Sequence, residues 1–239
     1  MQLKVLTWNI WRGKYFDQVI KELKEIDADI IGLQELIQIK DDIQAQKIAD
    51  ALGMHYVYFQ AFTSDRHEIV YSIGDGIFSK YPLKDPQCHF LTDLSVYKDS
   101  SDSEPRIAVS AQVEINDQTL NIISTHLAYS HELKESEIRD LQVEKLLGLV
   151  EAKTILMGDF NAKTDSKTIQ SLDQVLSRVE TTDAPTWSVF PVDYRGYKVS
   201  GLECRIDQIY ADPKLKIVES KVLSSQASDH LPILSVFEI

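Results

Sequence analysis

Apolar positions along the chain recur at two spacings that alternate from the first residues onward. In MQLKVLTWN, Leu3, Val5 and Thr7 alternate with Lys4 and Leu6, which predicts a strand. FDQVIKELKEI then places Phe16, Val19, Ile20, Leu23 and Ile26 on one helical face. DIIGLQE (29–35) is a short apolar strand ending on a charge, and residues 42–52 read as a helix through Ile43, Ile48, Ala49 and Leu52. HYVYFQA (55–61) and GDGIFSKYPL (74–83) read as strands, the second closed by Tyr81 and Pro82. RIAVSAQVEI (106–115) and LNIISTHL (120–127) are two more, joined by the polar turn Asn116-Asp117. Residues 132–150 carry the best amphipathic helix pattern, through Leu133, Ile138, Leu141, Leu146 and Val150, and are expected to cover a sheet. The strand TILMG follows, then a short helix near 166–177, an irregular stretch to about 203, and the strands CRIDQIYAD, LKIVESKVL and LPILSVFEI.

Polar stretches at 62–67, 97–105 and 183–201 are expected to be loops, with YKDSSDSEP the most mobile. None has the character of an interdomain linker, and there is no internal repeat. Strands mixed with helices throughout predict one α/β domain of packed layers over residues 1–239.

Composition narrows the partners. A hydrophobic fraction of 44% supports a sizeable core. The net charge of −12, from 37 acidic against 25 basic residues, argues against passive affinity for nucleic acid or anionic membrane. It does not exclude a nuclease, because a bound divalent cation supplies positive charge locally. Cys88 and Cys204 form no ligand-like cluster and read as ordinary reduced cysteines. The N-terminus lacks a signal-peptide h-region, and no apolar run approaches the ~18 residues of a membrane span. A soluble, cytoplasmic monomer is expected.

Several strands end alike. VLTWN stops at Asn9, IIGLQE at Glu35, IISTH at His126, and ILMGDFN at Asp159 and Asn161. CRID carries Asp207, and ASDH sets Asp229 and His230 just before the last strand. Strands lying side by side would gather these groups, and crowded carboxylates raise one another's pKa until a hard cation relieves the repulsion. Structural zinc is not indicated, since no Cys/His ligand pattern is present. Each motif alone is weak: GDFN is an ordinary strand-to-loop turn, and SDH an ordinary cap.

As an ordered set they resemble the endonuclease/exonuclease/phosphatase superfamily of metal-dependent phosphoesterases, which includes DNase I, exonuclease III, neutral sphingomyelinases and inositol polyphosphate 5-phosphatases. The likeness runs from about residue 3 to 237. It implies a four-layer α/β sandwich, with two mixed sheets face to face, helices outside and a site at one edge between the sheets. It further implies Glu35 as principal Mg²⁺ ligand (Mn²⁺ being an alternative), assisted by Asn9, with Asp229 serving the metal or a hydrogen bond. Asp159 would orient and deprotonate the attacking water, and Asn161 would hold the scissile phosphate. His230 would contact the phosphate with its ring oriented by Asp207, while His126 binds phosphate or donates a proton to the leaving oxygen. Arg106 and Asp75 complete the substrate-binding set, Arg106 on a phosphate and Asp75 orienting His126.

The superfamily covers DNA, RNA, inositol phosphates, phospholipid headgroups and protein–DNA adducts. The acidic charge and the lack of basic clusters disfavour a tight duplex binder. The leading expectation is a phosphodiesterase, nuclease-like on short or single-stranded nucleic acid or on a small phosphodiester. A lipid-headgroup or inositol-phosphate phosphatase is the alternative, and a catalytically silent binding protein a third reading. His55, His67, His89 and His131 have no motif partner and read as surface or loop residues. Trp8 reads as core, Trp11 as a cleft residue, Trp187 as packing under a loop or as a stacking platform, and Arg195 and Lys198 mainly as solvated charges, with contact to substrate the alternative.

Overall fold

The computed structural model describes residues 1–65, 69–93, 104–180 and 182–239. Local pattern and observed element agree over most of them. The first half of the chain forms β1 (Gln2–Asn9), α1 (Phe16–Ile26), β2 (Ile30–Ile39), β3 (Asp42–Ile43), α2 (Gln44–Leu52), β4 (His55–Ser64), β5 (Tyr71–Ser79), β6 (Leu83–Phe90) and β7 (Ile107–Ile115). It continues as β8 (Gln118–His126), α3 (Glu137–Leu147), β9 (Thr154–Asp159), α4 (Lys167–Asp173) and β10 (Ser177–Arg178). The hairpin β11 (Val192–Tyr194) and β12 (Tyr197–Val199) precedes β13 (Asp207–Ala211), β14 (Lys216–Val222) and β15 (Ile233–Glu238).

One sheet has the order β14-β15-β1-β2-β5-β4, with β3 beside β2, and the other β10-β13-β9-β8-β7-β6. Each is mixed: β1 runs parallel to β2 and β8 to β9, while the other pairs are antiparallel. A parallel pair needs a crossover, and α1 and α3 supply the two. Leu3, Val5, Ile30, Ile77, Val109, Ile122, Ile155, Met157, Ile209 and Phe237 are buried together between the sheets. Val19, Leu23, Ala45 and Ile48 of α1 and α2 pack on the outer face of the first sheet, and Val143, Leu146, Ile169 and Leu172 of α3 and α4 on that of the second. This is the four-layer α/β sandwich the sequence implied. No helix among the described residues is long and apolar enough to cross a membrane.

Three expectations change. The strand β6 was not foreseen, because KDPQCH is polar with a proline inside. It is an edge strand that pairs with β7, with an irregularity between Lys84 and Gln87 that accommodates Pro86. The helix expected over 132–150 is α3 alone, started by the Ser136 hydroxyl, which accepts from the Arg139 N–H. Its inner face is Arg139, Gln142, Val143 and Leu146, and Leu141 is exposed. Polar side chains occupy that face because they serve the backbone there: Gln142 Oε1 accepts from Ala128 N–H at 2.8 Å and Arg139 Nη1 donates to Ala128 O at 3.2 Å. The loops also differ, since β4 extends to Ser64 and the stretch 183–201 contains a hairpin. Most of the loop expected at 97–105 lies outside the described residues.

Gly158 fixes how closely β8 and β9 approach. Its φ is +151°, and a Cβ there would sit 1.9 Å from the Thr125 carbonyl oxygen. That atom is backbone and cannot swing aside. Gly158→Ala is therefore expected to lower stability by at least ~2 kcal/mol, read as a shifted urea midpoint.

Candidate active site

Strand register gathers the polar strand ends at one edge. In the parallel pair β8–β9, His126 lies opposite Asp159; in the antiparallel pair β13–β9, Asp207 is opposite the same residue. In the other sheet Asn9 ends β1 opposite Gln34 of β2, and β15 starts beside Thr7 of β1, which brings the preceding Asp229 and His230 to that edge. Glu35 reaches it by a bulge. The β2–β5 register shifts between Leu33 and Leu36, and Glu35 takes a left-handed φ of 60°. Bulges re-aim side chains in this way, and a non-glycine residue held there marks a strained position.

The turn after β9 is closed by its own carboxylate. Asp159 Oδ1 accepts from the Asn161 N–H at 2.9 Å, and Oδ2 accepts from Asn9 Nδ2 at 3.0 Å across the gap between the sheets. Asn161, also left-handed, donates from Nδ2 to Leu127 O at 3.1 Å and lies 3.0 Å from His126 Nε2. His230 Nδ1 meets Asp207 Oδ2 at 3.0 Å, while its Nε2 is 3.7 Å from Asp159 Oδ2. Ser228 fastens this loop to β1 by donating to the Asn9 carbonyl at 2.7 Å, and the Trp8 indole donates to the His230 carbonyl at 2.9 Å. Trp8 is thus buried core that also holds the site in place.

Seven side chains close a ring of polar contacts. Glu35 meets Arg12 (3.5 Å), Arg12 meets Glu104 (3.8 Å), and Glu104 meets Arg106 (3.3 Å). Arg106 Nη1 meets His126 Nδ1 (3.1 Å), and His126 Nε2 meets Asp159 (3.3 Å). Asp159 meets Asn9 (3.0 Å), and Asn9 returns to Glu35 (3.4 Å). The ring borders a pocket of about 370 Å³, whose mouth is lined by Trp11, Tyr129, Trp187, Tyr194 and Arg195.

All ten residues singled out from the sequence lie in or directly behind this pocket, but Asp75 does not orient His126. Arg106 takes that place at Nδ1, while Asp75 accepts from the Glu35 backbone N–H and so braces the bulge. Arg195 lines the pocket, whereas Lys198 pairs with Asp193 at 3.7 Å. Sequence reasoning missed Arg12, Glu104 and the segment around Trp187. Trp187 exchanges backbone bonds with Cys204, its neighbours bond to Asp229 and Leu231, and its indole donates to Asp229 at 3.3 Å. Thr186 Oγ1 accepts from the N–H groups of Ile206 and Asp207, each at 3.2 Å. This segment ties the start of β13 to the loop before β15 without any strand periodicity to signal it.

With this geometry in view, comparison with known proteins is decisive. The family model described as "Endonuclease/Exonuclease/phosphatase family" matches residues 6–230. The chain belongs to that family. No curated protein matches the sequence. Among solved structures, an endonuclease/exonuclease/phosphatase from Beutenbergia cavernae superposes with a TM-score of 0.81 at 18% identity, over 100% of this chain and 72% of that one. A mannosyl-6-phosphatase from Bacteroides thetaiotaomicron gives 0.74 at 18% identity, covering 99% and 100%. The human Nocturnin catalytic domain, solved with bound sulfate, gives 0.77 at 19% identity, covering 99% and 93%. At these identities the structural likeness shows the fold alone. Endonuclease/exonuclease/phosphatase proteins are hydrolytic phosphoesterases that typically use divalent metal ions.

The side chains fit a hard cation. Asp159 and Asp75 are buried and Glu35 beside them half-buried, and burial first of all raises each carboxyl, Asp159 to about 7 and Asp75 to about 8. Neighbouring carboxylates add to the rise at each of the three. Glu35 and Asp229, with the carboxamide of Asn9, offer the oxygen donors that such an ion takes. Among the described residues the tightest group of His, Asp and Glu atoms is Asp159, Asp207 and His230, within 4.8 Å. There the Asp207–His230 contact already holds a proton, so that cluster satisfies itself.

The two histidines are driven apart. Burial, then the charge of Arg106, pushes His126 well below its ordinary 6.5. A guanidinium only donates, so Nδ1 accepts from Arg106 and the single ring proton sits on Nε2 toward the Asp159 carboxylate at 3.3 Å, the Asn161 amide donating to Leu127 O and not to the ring. Burial also opposes a charge on His230, but Asp207, Asp229 and Asp159 together outweigh it and hold that ring well above 6.5. In the metal-free protein at pH 6.5, nitrogen NMR is expected to find His126 neutral with its proton on Nε2 and His230 doubly protonated. On raising the pH, His126 has already lost its second proton below 6.5 and His230 loses its own only above it; the reverse order would contradict the charge assignment.

Proposed function

We propose that the chain is a Mg²⁺-dependent phosphoesterase, Mn²⁺ serving as an alternative ion, with residues 1–239 acting as one domain. The observation that carries this reading is the position of Asp159 on the pocket floor, in contact with Asn9, His126 and its own Asn161 turn, with His230 beside it. Glu35 would hold the cation with help from Asn9 and Asp229. When bound, that ion supplies positive charge to the non-bridging phosphate oxygens and an open position for water. Asp159, fixed by two hydrogen bonds, orients the attacking water and takes its proton, a role suited to a carboxyl raised by its burial. The Asn161 amide and the charged His230 ring, oriented by Asp207, face the phosphate. Neutral His126 holds a proton at Nε2 that the leaving oxygen can receive, and Arg106 supports it from Nδ1.

The leading substrate reading is a phosphodiester, either a short or single-stranded nucleic acid or a small molecule, cleaved in the cytoplasm by a monomer. An acidic chain whose pocket measures about 370 Å³ supports a small ligand over a wrapped duplex. A phosphomonoester is the second reading, favoured by the aromatic residues lining the pocket and by the mannosyl-6-phosphatase among the structural neighbours.

Glu35→Ala, Asp159→Ala and His230→Ala are each expected to lower turnover at least ~10²-fold while the far-UV spectrum stays native. The assay uses bis(p-nitrophenyl) phosphate, p-nitrophenyl phosphate, single- and double-stranded DNA, RNA and sphingomyelin, with and without EDTA. Metal-dependent cleavage of diesters supports the leading reading, and cleavage of monoesters alone transfers it to the second. Wild-type rates in the three variants would remove the residue assignment, and silence on every substrate with no metal bound would favour a binding protein.

A further inference from the structure

The ring around the pocket contains two members with no place in the chemistry above, Arg12 and Glu104. Glu104 projects its carboxylate between two guanidinium groups, with Oε1 3.8 Å from Arg12 Nη2 and Oε2 3.3 Å from Arg106 Nη2. The two arginines arrive by unrelated routes. Arg106 immediately precedes β7 and is more than nine-tenths buried, with its Nε–H left without a partner. Arg12 projects from a turn in which Trp11, Arg12 and Gly13 all have left-handed φ values of 50°, 55° and 66°. Left-handed backbone at two successive non-glycine residues is uncommon and strained, and here it carries the guanidinium to the pocket wall.

A buried guanidinium with an unused donor beside a second guanidinium is an anion subsite, because planar donor forks of this kind match carboxylate and phosphate oxygens alike. Glu104 fills it with a carboxylate from the chain itself. Its hold is weak: the Arg12 contact lies beyond hydrogen-bond length, the hydrogen bond from Arg106 is long at 3.3 Å, and the side chain is 28% exposed. Arg106 also touches His126, so the subsite adjoins the position assigned to the scissile phosphate.

We propose that Arg12 and Arg106 form a binding subsite for the substrate's phosphate group and that Glu104 is its displaceable internal occupant, leaving when phosphate enters. This rests on the phosphoesterase reading, and it adds Arg12 as a phosphate-binding residue and Glu104 as an internal competitor. Substrate entry exchanges one anion for another between the same two cations, so the buried arginine is never left uncompensated. An empty pair of guanidinium groups at a pocket wall would repel each other and capture stray anions, and Glu104 suppresses both.

The test is calorimetric titration of inorganic phosphate into wild-type protein, Glu104→Gln and Arg12→Gln, with Mg²⁺ present throughout and thermal melts recorded for each. Removing the competing charge in Glu104→Gln is expected to tighten phosphate binding by about three- to tenfold, and Arg12→Gln to weaken it by a similar factor. If Glu104 merely braced the pocket, its glutamine variant would melt lower and bind phosphate no more tightly than wild type. That result overturns the proposal, as does unchanged affinity in Arg12→Gln. Phosphate binding is read without turnover. A tightened Glu104→Gln in a protein that hydrolyses no ester would therefore sink the proposed activity and leave the subsite standing, while hydrolysis with unaltered phosphate affinity would do the opposite.

Discussion

The hydrogen bond from Asn9 Nδ2 to Asp159 Oδ2 at 3.0 Å, beside the His230–Asp207 contact, joins the two sheets at the edge where the polar side chains collect. Asn9 and Asp159 are both about 1% exposed, so neither has water to fall back on, and an unmade bond there would cost the desolvation of a buried polar group. Behind it the sheets are joined by apolar packing and by a smaller polar link, Gln34 Nε2 to Ser124 Oγ at 3.1 Å. In front of it lies the pocket. The site is placed by the way the sandwich is closed, and the carboxylate proposed to activate water is the same one that closes it.

Electrostatics gives that placement its chemistry. Buried carboxylates, two buried histidines and two arginines stand within a few ångströms of each other around one hollow, and like charges there are separated by unlike ones. His126 touches a guanidinium and is driven neutral, while His230 is surrounded by carboxylates and held charged. Two identical side chains therefore enter the pocket in different protonation states, which is how one site offers both a proton donor and a fixed positive charge. The crowding of Glu35, Asp75 and Asp159 has the same origin, and it makes a divalent cation the natural counter-charge. Arg12, beside Glu35, provides part of that compensation within the chain.

The irregular elements carry as much of the site as the regular ones. The bulge at Glu35, the left-handed turn at Trp11-Arg12-Gly13 and the bridge at Trp187 each depart from strand or helix pattern, and each delivers a side chain to the pocket. Regular strands set the spacing to within a residue, and these departures supply the final aim. Asp75 illustrates the division. It sits inside the regular strand β5 and serves the site by holding the Glu35 backbone, not by touching the histidine.

How much was legible follows from which interactions are local. Alternation marked β1, and apolar runs marked β7, β8, β9 and β15, because strands inside a sandwich covered by helices are buried largely on both faces whatever their order in the sheet. Strand-terminal Asn9, His126 and Asp159 stood out against those apolar runs. The ordered motifs then sufficed for the family and the four-layer sandwich. Hidden from the sequence were features set by contacts distant along the chain. The inner face of α3 is polar because Arg139 and Gln142 bond to Ala128, and β6 is polar because it is an edge. Arg12 and Glu104 look like solvated charges until the fold brings them, 92 positions apart in the chain, to within 3.8 Å of each other. The sequence by itself determined which residues could do chemistry, since residue type and strand position are written locally. Only the tertiary structure decided what each one touches, and therefore its charge, because burial and the distance to the next charge exist only after the sheets have closed.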